Sequence, residues 1–251
     1  MSTKEKVIRA LEKEKGVYIS GEMLARECNV SRNAIWKSIS ELKKNGYPIK
    51  SVTNRGYMLE ETSDIISGAG ICMYLESGKN AEHGMETCSE KIFVFEQLDS
   101  TNNEAKRNLV FNNDRMMHGT VYVAGKQTAG RGHGGSSFSS PEGGIYFSVI
   151  LEPEMLRKKD VPVTAYISET VRNVLDRLYH VKTESRKDSS VFVGDEKVCG
   201  ILTEGISDME TGEYSNYIAG FGIRAEKLQS IHGFYPQRNK VIAEIIKELL
   251  L

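Results

Sequence analysis

The chain has 251 residues, with Lys+Arg 33 against Asp+Glu 34 and a formal net charge of −1. That is enough for one large or two smaller domains, and 39% hydrophobic with 27% charged residues excludes a fibrous or wholly disordered chain. No apolar run approaches the ~20 residues of a membrane-spanning helix, and a charged helical pattern from Lys4 onward argues against a signal peptide.

The charge is unevenly placed. Residues 1–60 carry 12 Lys/Arg against 7 Asp/Glu, leaving 21 against 27 in the rest. A basic module on an acidic body points to nucleic-acid binding by the first part. Its pattern agrees. Thr3 to Glu14 has Val7, Ile8 and Leu11 on one helical stripe. Ser20 can cap a second helix, Cys28-Asn29-Val30 makes a turn, and Ser31 can cap a third from Arg32 to Lys44, ended by Gly46. Ile49–Val52 and Tyr57–Leu59, joined at Asn54-Arg55-Gly56, read as a hairpin. Three helices and a hairpin form a winged helix-turn-helix, expected over residues 1–62. In that geometry the third helix enters the major groove, so Ser31, Arg32, Asn33, Trp36 and Lys37 are the candidate DNA contacts, with Arg55 at the wing tip. Trp36 can also be partly core. Such modules are expected to bind operator DNA as homodimers.

Residues 63–90 read as a connector, with a helix from Ile65 to Leu75 and a polar loop from Ser77 to Ser89. Residues 91–251 read as an α+β domain. Strands are expected at 92–95, 120–124, 144–151, 191–193, 198–202 and 217–222, and helices from about 101, over Thr164–Tyr179 and over Arg238–Leu250. Two hairpins among these strands suggest a mixed or antiparallel sheet with helices on one face. The segment from Gly125 to Gly144 holds seven glycines around Arg131. Glycine lets backbone N–H groups approach anionic oxygens, and Arg131 supplies a fork suited to carboxylate or phosphate. It is a candidate binding loop, but neither a GxxxxGK[ST] loop nor a dinucleotide fingerprint. Cys28, Cys72, Cys88 and Cys199 show no CxxC spacing, so neither a disulfide nor a zinc site is expected, and a reducing cytoplasm is the default. His118, His180 and His232 lack paired ligand spacing, so no metal site is expected.

Four ordered strings, Leu98-Asp99-Ser100-Thr101-Asn102, Gln127-Thr128-Ala129-Gly130-Arg131-Gly132, Ser140-Pro141 with Gly143 and Tyr146, and Val198-Cys199-Gly200-Ile201-Leu202-Thr203-Glu204, resemble the biotin protein ligase family. With a winged helix in front, the chain is similar to its bifunctional subclass, which also represses the biotin operon. The resemblance implies a class II synthetase-like mixed sheet with helices, biotin as ligand, ATP with Mg²⁺, a biotin carboxyl carrier protein as acceptor and a side-by-side homodimer. The family's ligand pocket maps onto Ser100, Thr101, Asn102, Gln127, Gly130, Gly132, His133, Gly200 and Leu202. Its catalytic positions map onto Lys197 and Arg131, where a fixed positive charge offsets developing charge at the carboxylate and α-phosphate.

The departures fall on the nucleotide side. The family's GRGRRGRxW loop reads Gly130-Arg131-Gly132-His133-Gly134-Gly135-Ser136-Ser137-Phe138. Its KWPND signature is replaced by Arg186-Lys187-Asp188-Ser189-Ser190, and its GIGIN strand end by Gly220-Phe221-Gly222-Ile223-Arg224. The family's small C-terminal SH3-like domain is not expected within these 251 residues. These losses imply a regulator that binds biotin or a related small acid with adenylation weak or lost. The alternative is an active ligase-repressor forming biotinyl-5′-AMP, with Arg186, Lys187 or Arg224 replacing lost charge.

Overall fold

The computed structural model describes residues 1–76, 88–111, 117–156, 161–186, 189–208, 210–232 and 237–250. Lys187, Asp188, most of the expected 77–89 loop and the segment from Arg157 to Lys159 lie outside them. The chain divides into two compact units, Met1–Ser89 and Glu90–Leu251.

The first unit opens with α1 (Thr3–Lys13), capped by a reciprocal Ser2–Glu5 box. Next are α2 (Gly21–Cys28) and α3 (Arg32–Lys44), whose first turns are capped by Ser20 and Ser31 through Met23 N and Ala34 N. Asn29 ends α2 in the left-handed conformation. The antiparallel hairpin β1 (Ile49–Val52) and β2 (Gly56–Leu59) follows. Ile19 and Tyr57 exchange backbone hydrogen bonds of 2.8 and 2.9 Å, adding a third extended segment to it. Gly56 is obligatory here: its φ is +100°, and a Cβ would meet Ile19 O. Leu11, Leu24, Ile35, Ile39 and Leu59 fill the core. The connector joins this unit, because α4 (Gly68–Glu76) packs on α1, Ala69 enters the core and Arg9 pairs with Glu76.

One expectation on cysteine fails. Cys72 on α4 and Cys88, the first residue of the short α5 (Cys88–Lys91), form a disulfide with Cα atoms 5.9 Å apart. They lie sixteen positions apart in sequence, so no local motif announces the pair, and tertiary packing makes it.

The second unit is built on a seven-stranded sheet in the order β3-β4-β5-β9-β8-β7-β6. Its strands are β3 (Ile92–Leu98), β4 (Val121–Gln127), β5 (Ile145–Leu151), β6 (Thr183–Ser185), β7 (Val191–Val193), β8 (Glu196–Ser207) and β9 (Tyr214–Ile223). Only β3 and β4 pair in parallel, so the sheet is mixed. The helices are α6 (Thr101–Phe111), α7 (Val163–Tyr179), α8 (Ala225–His232) and α9 (Arg238–Leu250). They do not lie on one face as expected. Ser148 and Ile150 of β5 meet α6, while Val149 and Leu151, pointing the other way, are also fully buried. The unbroken run Ile145–Leu151 is the signature of a strand covered on both sides. Val241, Ile242, Ile245, Ile246 and Leu249 of α9 are core, as their stripe implies. Among the described residues no helix is long and apolar enough to cross a membrane.

Candidate functional site

A cavity of about 310 Å³ opens on the second unit, between the start of α6, the glycine-rich loop and strands β8 and β9. It is within the usual range for small-molecule sites. Among the described residues none that lines it is acidic, whereas Arg131, His133, Lys197 and Arg224 all do.

The loop owes its shape to its glycines. Arg131 bridges to Ser137, Gly132 N–H donates to Ser136 O and Phe138 N–H donates to Gly130 O, making a tight hairpin. At its tip, a 3₁₀ turn over His133–Gly135, Gly134 and Gly135 have φ of +65° and +79°. Glycine at these positions therefore serves the turn, and at Gly134 it does so where the family pattern has a basic side chain. The internal bonds also occupy N–H groups that the sequence reading assigned to an anion. Gly130 is buried beneath the hairpin, and a Cβ there would meet Phe138 O and Ser140 Oγ.

Ser100, Thr101 and Asn102 sit at the start of α6, each no more than 4% exposed. Gln127 ends β4, where its Oε1 accepts from Thr101 N at 2.8 Å and its Nε2 donates to Ser140 Oγ at 2.9 Å. Asn102 lines the cavity, but its amide is fully engaged. Nδ2 donates to Glu204 Oε2 at 2.8 Å and to Leu202 O at 3.4 Å, and Oδ1 lies 2.6 Å from Ser148 Oγ. Asn102 thus orients neighbours instead of offering a free ligand contact. The loop before α6 is held by Asp99, whose carboxylate is gripped by Arg107 and Asn103. The Arg107 hydrogen bonds hold that carboxyl well below the usual range.

The cavity floor comes from the pairing of β8 with β9, which sets Gly200 opposite Gly222 and Leu202 opposite Gly220. A Cβ on Gly200 or Gly222 would strike the Phe138 ring, and one on Gly220 would strike the Asn102 amide. Phe138 therefore rests on a floor that only glycine leaves open. Leu202 and Lys197 are five residues apart on β8, about 16 Å along the strand. Arg224 lies beside the Lys197 end, its N–H donating to Val198 O at 2.8 Å. One end of the cavity is thus neutral and rich in hydroxyl and amide groups, the middle is flat and apolar, and the far end is cationic. Cys199, between them, faces the core, and burial pushes its thiol up to about 12.

All the expected pocket residues except Gly130 line this one cavity. Sequence reasoning missed Phe138 as a floor contact, and also Ser148 and Glu204 behind the wall. The alternation Gly220-Phe221-Gly222 was the available signal for the floor. Among the described residues no cluster of three or more His, Cys, Asp or Glu can hold a metal.

In the first unit, Arg32, Asn33, Trp36 and Lys37 all point outward from α3, with Trp36 61% exposed and hence not core. Ser31 is also exposed, with its hydroxyl capping the helix. Arg55 lies in the wing turn, its guanidinium 4.3 Å above the Tyr18 ring.

A winged helix-turn-helix followed by a mixed sheet with a cation-lined cavity defines a class: a helix-turn-helix module carried with an α+β unit that has a small-molecule-sized pocket. Family comparison agrees at both ends, with an "HTH domain" model matching residues 3–58 and a "Biotin/lipoate A/B protein ligase family" model matching residues 94–221, about half of the chain. The chain belongs to the biotin/lipoate A/B protein ligase family. The bifunctional ligase/repressor BirA of Bacillus subtilis is 29% identical over 211 residues, 84% of this chain and 61% of the relative. BirA of Escherichia coli is 27% identical over 248 residues, 93% and 72% of the respective chains. The chain thus spans about three fifths of the length of the Bacillus relatives it matches. The biotin protein ligase of Aquifex aeolicus, solved with biotin and ATP, superposes with a TM-score of 0.52 at 25% identity over 63% of this chain and 68% of that one.

Proposed function

We propose that the protein is a biotin-responsive transcription regulator. On this reading the second unit binds biotin, and the first, as part of a homodimer, reads operator DNA through α3 and the wing. The observation that carries the reading is the order of chemistry along the cavity. Biotin has a neutral ureido head, a thin apolar ring and chain, and a carboxylate tail. Ser100, Thr101 and Gln127 suit the head, the Gly200–Gly222 floor suits the middle, and Lys197 and Arg224 suit the tail, while Arg131 lies within electrostatic reach of Glu204 behind the head end. Phe138 must leave that floor for the ligand to lie on it.

The reading includes weak or lost adenylation, because Gly134 and Ser136 stand where the family pattern is basic. ATP, with Mg²⁺, would supply an activated phosphate to the bound carboxylate. This chain would contribute Arg131 and Lys197 as fixed charges, and no general base is needed because a carboxylate is already nucleophilic. A second reading, an active ligase transferring biotin to a carrier protein, is favoured by one observation: Arg224 replaces the family's Asn and adds a cation at the Lys197 end.

Mass spectrometry after incubation with biotin and MgATP separates the two. The first reading predicts no more than trace biotinyl-adenylate, with biotin alone raising the melting temperature. Stoichiometric adenylate would establish the second. Neither adenylate nor a biotin shift would contradict both.

A further inference from the structure

Behind the neutral end of the cavity, a file of side chains runs from the surface to Thr101. Lys106 Nζ lies 2.6 Å from Glu204 Oε1, and Asn102 Nδ2 lies 2.8 Å from Glu204 Oε2. Ser148 Oγ, fully buried, lies 2.6 Å from Asn102 Oδ1 and 2.7 Å from Thr101 Oγ1. Thr101 Oγ1 is 3.2 Å from Gln127 Oε1.

The proton positions in this file are determined by elimination. Burial pushes the Glu204 carboxyl up, but the hydrogen bonds from Lys106 and Asn102 outweigh it and the net shift is downward, so it is ionised and can only accept. It must face the Asn102 amide N–H, which turns Asn102 Oδ1 toward Ser148. That oxygen also only accepts, so the single Ser148 proton points to it. Ser148 then meets Thr101 with lone pairs, and Thr101 donates to Ser148 at 2.7 Å in preference to Gln127 Oε1 at 3.2 Å, which is already served by Thr101 N–H. Gln127 Oε1 is fixed independently by Thr101 N–H. At the cavity, therefore, Thr101 Oγ1 and Gln127 Oε1 both present lone pairs.

We propose that Glu204 is a positioning residue that acts through Asn102 and Ser148 to fix the Thr101 hydroxyl as an acceptor, so that this end of the pocket selects ligands bearing N–H over isosteres bearing oxygen. The identity of the ligand as biotin rests on the functional reading above; the direction of the file does not. Replacing Glu204 by Gln inverts it. Lys106 holds the new amide oxygen and the new N–H₂ faces Asn102, so the Asn102 amide is driven to flip against only its long 3.4 Å bond to Leu202 O, and the Ser148 proton then passes to Thr101. The Thr101 proton is then released toward Gln127 and the cavity.

The test uses the full chain and two probes: biotin, and its cyclic carbonate analogue with oxygen in place of each ureido N–H. Sites built for an N–H donor reject analogues lacking it strongly, and a preference for biotin of about 100-fold or more is expected in the native protein. In E204Q, and independently in S148A, that ratio should fall at least tenfold while the melting temperature holds. An unchanged ratio in both variants overturns the proposal, as does equal loss of both ligands with a falling melting temperature. NMR of the ligand-free protein gives a second readout. A through-hydrogen-bond coupling from the Asn102 side-chain amide to the Glu204 carboxyl carbon is expected, and its absence overturns the file. If the native protein binds neither probe, the biotin reading fails, and this coupling alone decides the positioning role.

Discussion

At the scale of single residues, charge and hydrogen-bond polarity give the sharpest expectations. If adenylation survives at all, Lys197→Ala and Arg131→Ala should each lower it by about 100-fold, the usual cost of removing a preorganised group that stabilises developing charge. Arg224→Asn, restoring the family pattern, should weaken ATP dependence if Arg224 carries the nucleotide side, and should change nothing if it does not. Asp99 gives a pH prediction. Its folded-state carboxyl lies below its unfolded value because Arg107 holds it. Its contribution to stability is therefore fully present above the unfolded carboxylate range, near pH ~4, and is lost as pH falls through the lower folded value. Urea midpoints of the native protein and Arg107→Ala should differ at pH 7 and converge at strongly acidic pH. A constant gap would show that Arg107 acts otherwise. Asp99 and Arg131 stand in the motif strings and Lys197 just before one, whereas Arg107 carries no local signal. The polarity of Thr101 was not legible either, because it depends on Ser148 and Glu204, which lie 47 and 103 positions away and meet it only through strand pairing.

At the scale of elements, the limits of α3 and α9 emerged from caps and stripes because those signals are local: a Ser N-cap and three inward apolar residues fix α3 before any packing. The three-residue β6 buries only Thr183 and carries no alternation, so nothing local marks it. The same holds for the Cys72–Cys88 bridge. A cross-link closing a loop of that length restricts the unfolded chain by about 3 kcal/mol. Cys72→Ser should therefore lower the urea midpoint of the oxidised protein, and the difference should vanish in reductant; equal midpoints without reductant would mean the bridge does not form in solution. The β8–β9 floor is equally specific. Gly222→Ala places a methyl where Phe138 rests and should weaken biotin at least tenfold, with the sheet intact by circular dichroism. On α3, Arg32→Ala should cost about 1–3 kcal/mol of operator affinity if Arg32 reads a base, and Lys37→Ala should instead lower the salt slope by about one.

At the scale of the whole molecule, the charge count picked out residues 1–60, but the first compact unit runs on to Ser89, and the acidic connector brings Met1–Ser89 to 13 Lys/Arg against 12 Asp/Glu. The winged helix could be read element by element. The sheet was read less well, because strand order and the cover on both faces are tertiary facts, and the run of β5, apolar but for Ser148, was the one local hint. The account as a whole stands on the cavity: a neutral polar end, a glycine floor and a cationic end, matched to biotin. Calorimetric titration of the full chain with biotin alone, without nucleotide, tests that most directly. The account predicts saturable 1:1 binding that Lys197→Ala weakens and that Gly222→Ala weakens further. No saturable heat with biotin, in a protein whose circular dichroism shows the fold intact, would contradict it.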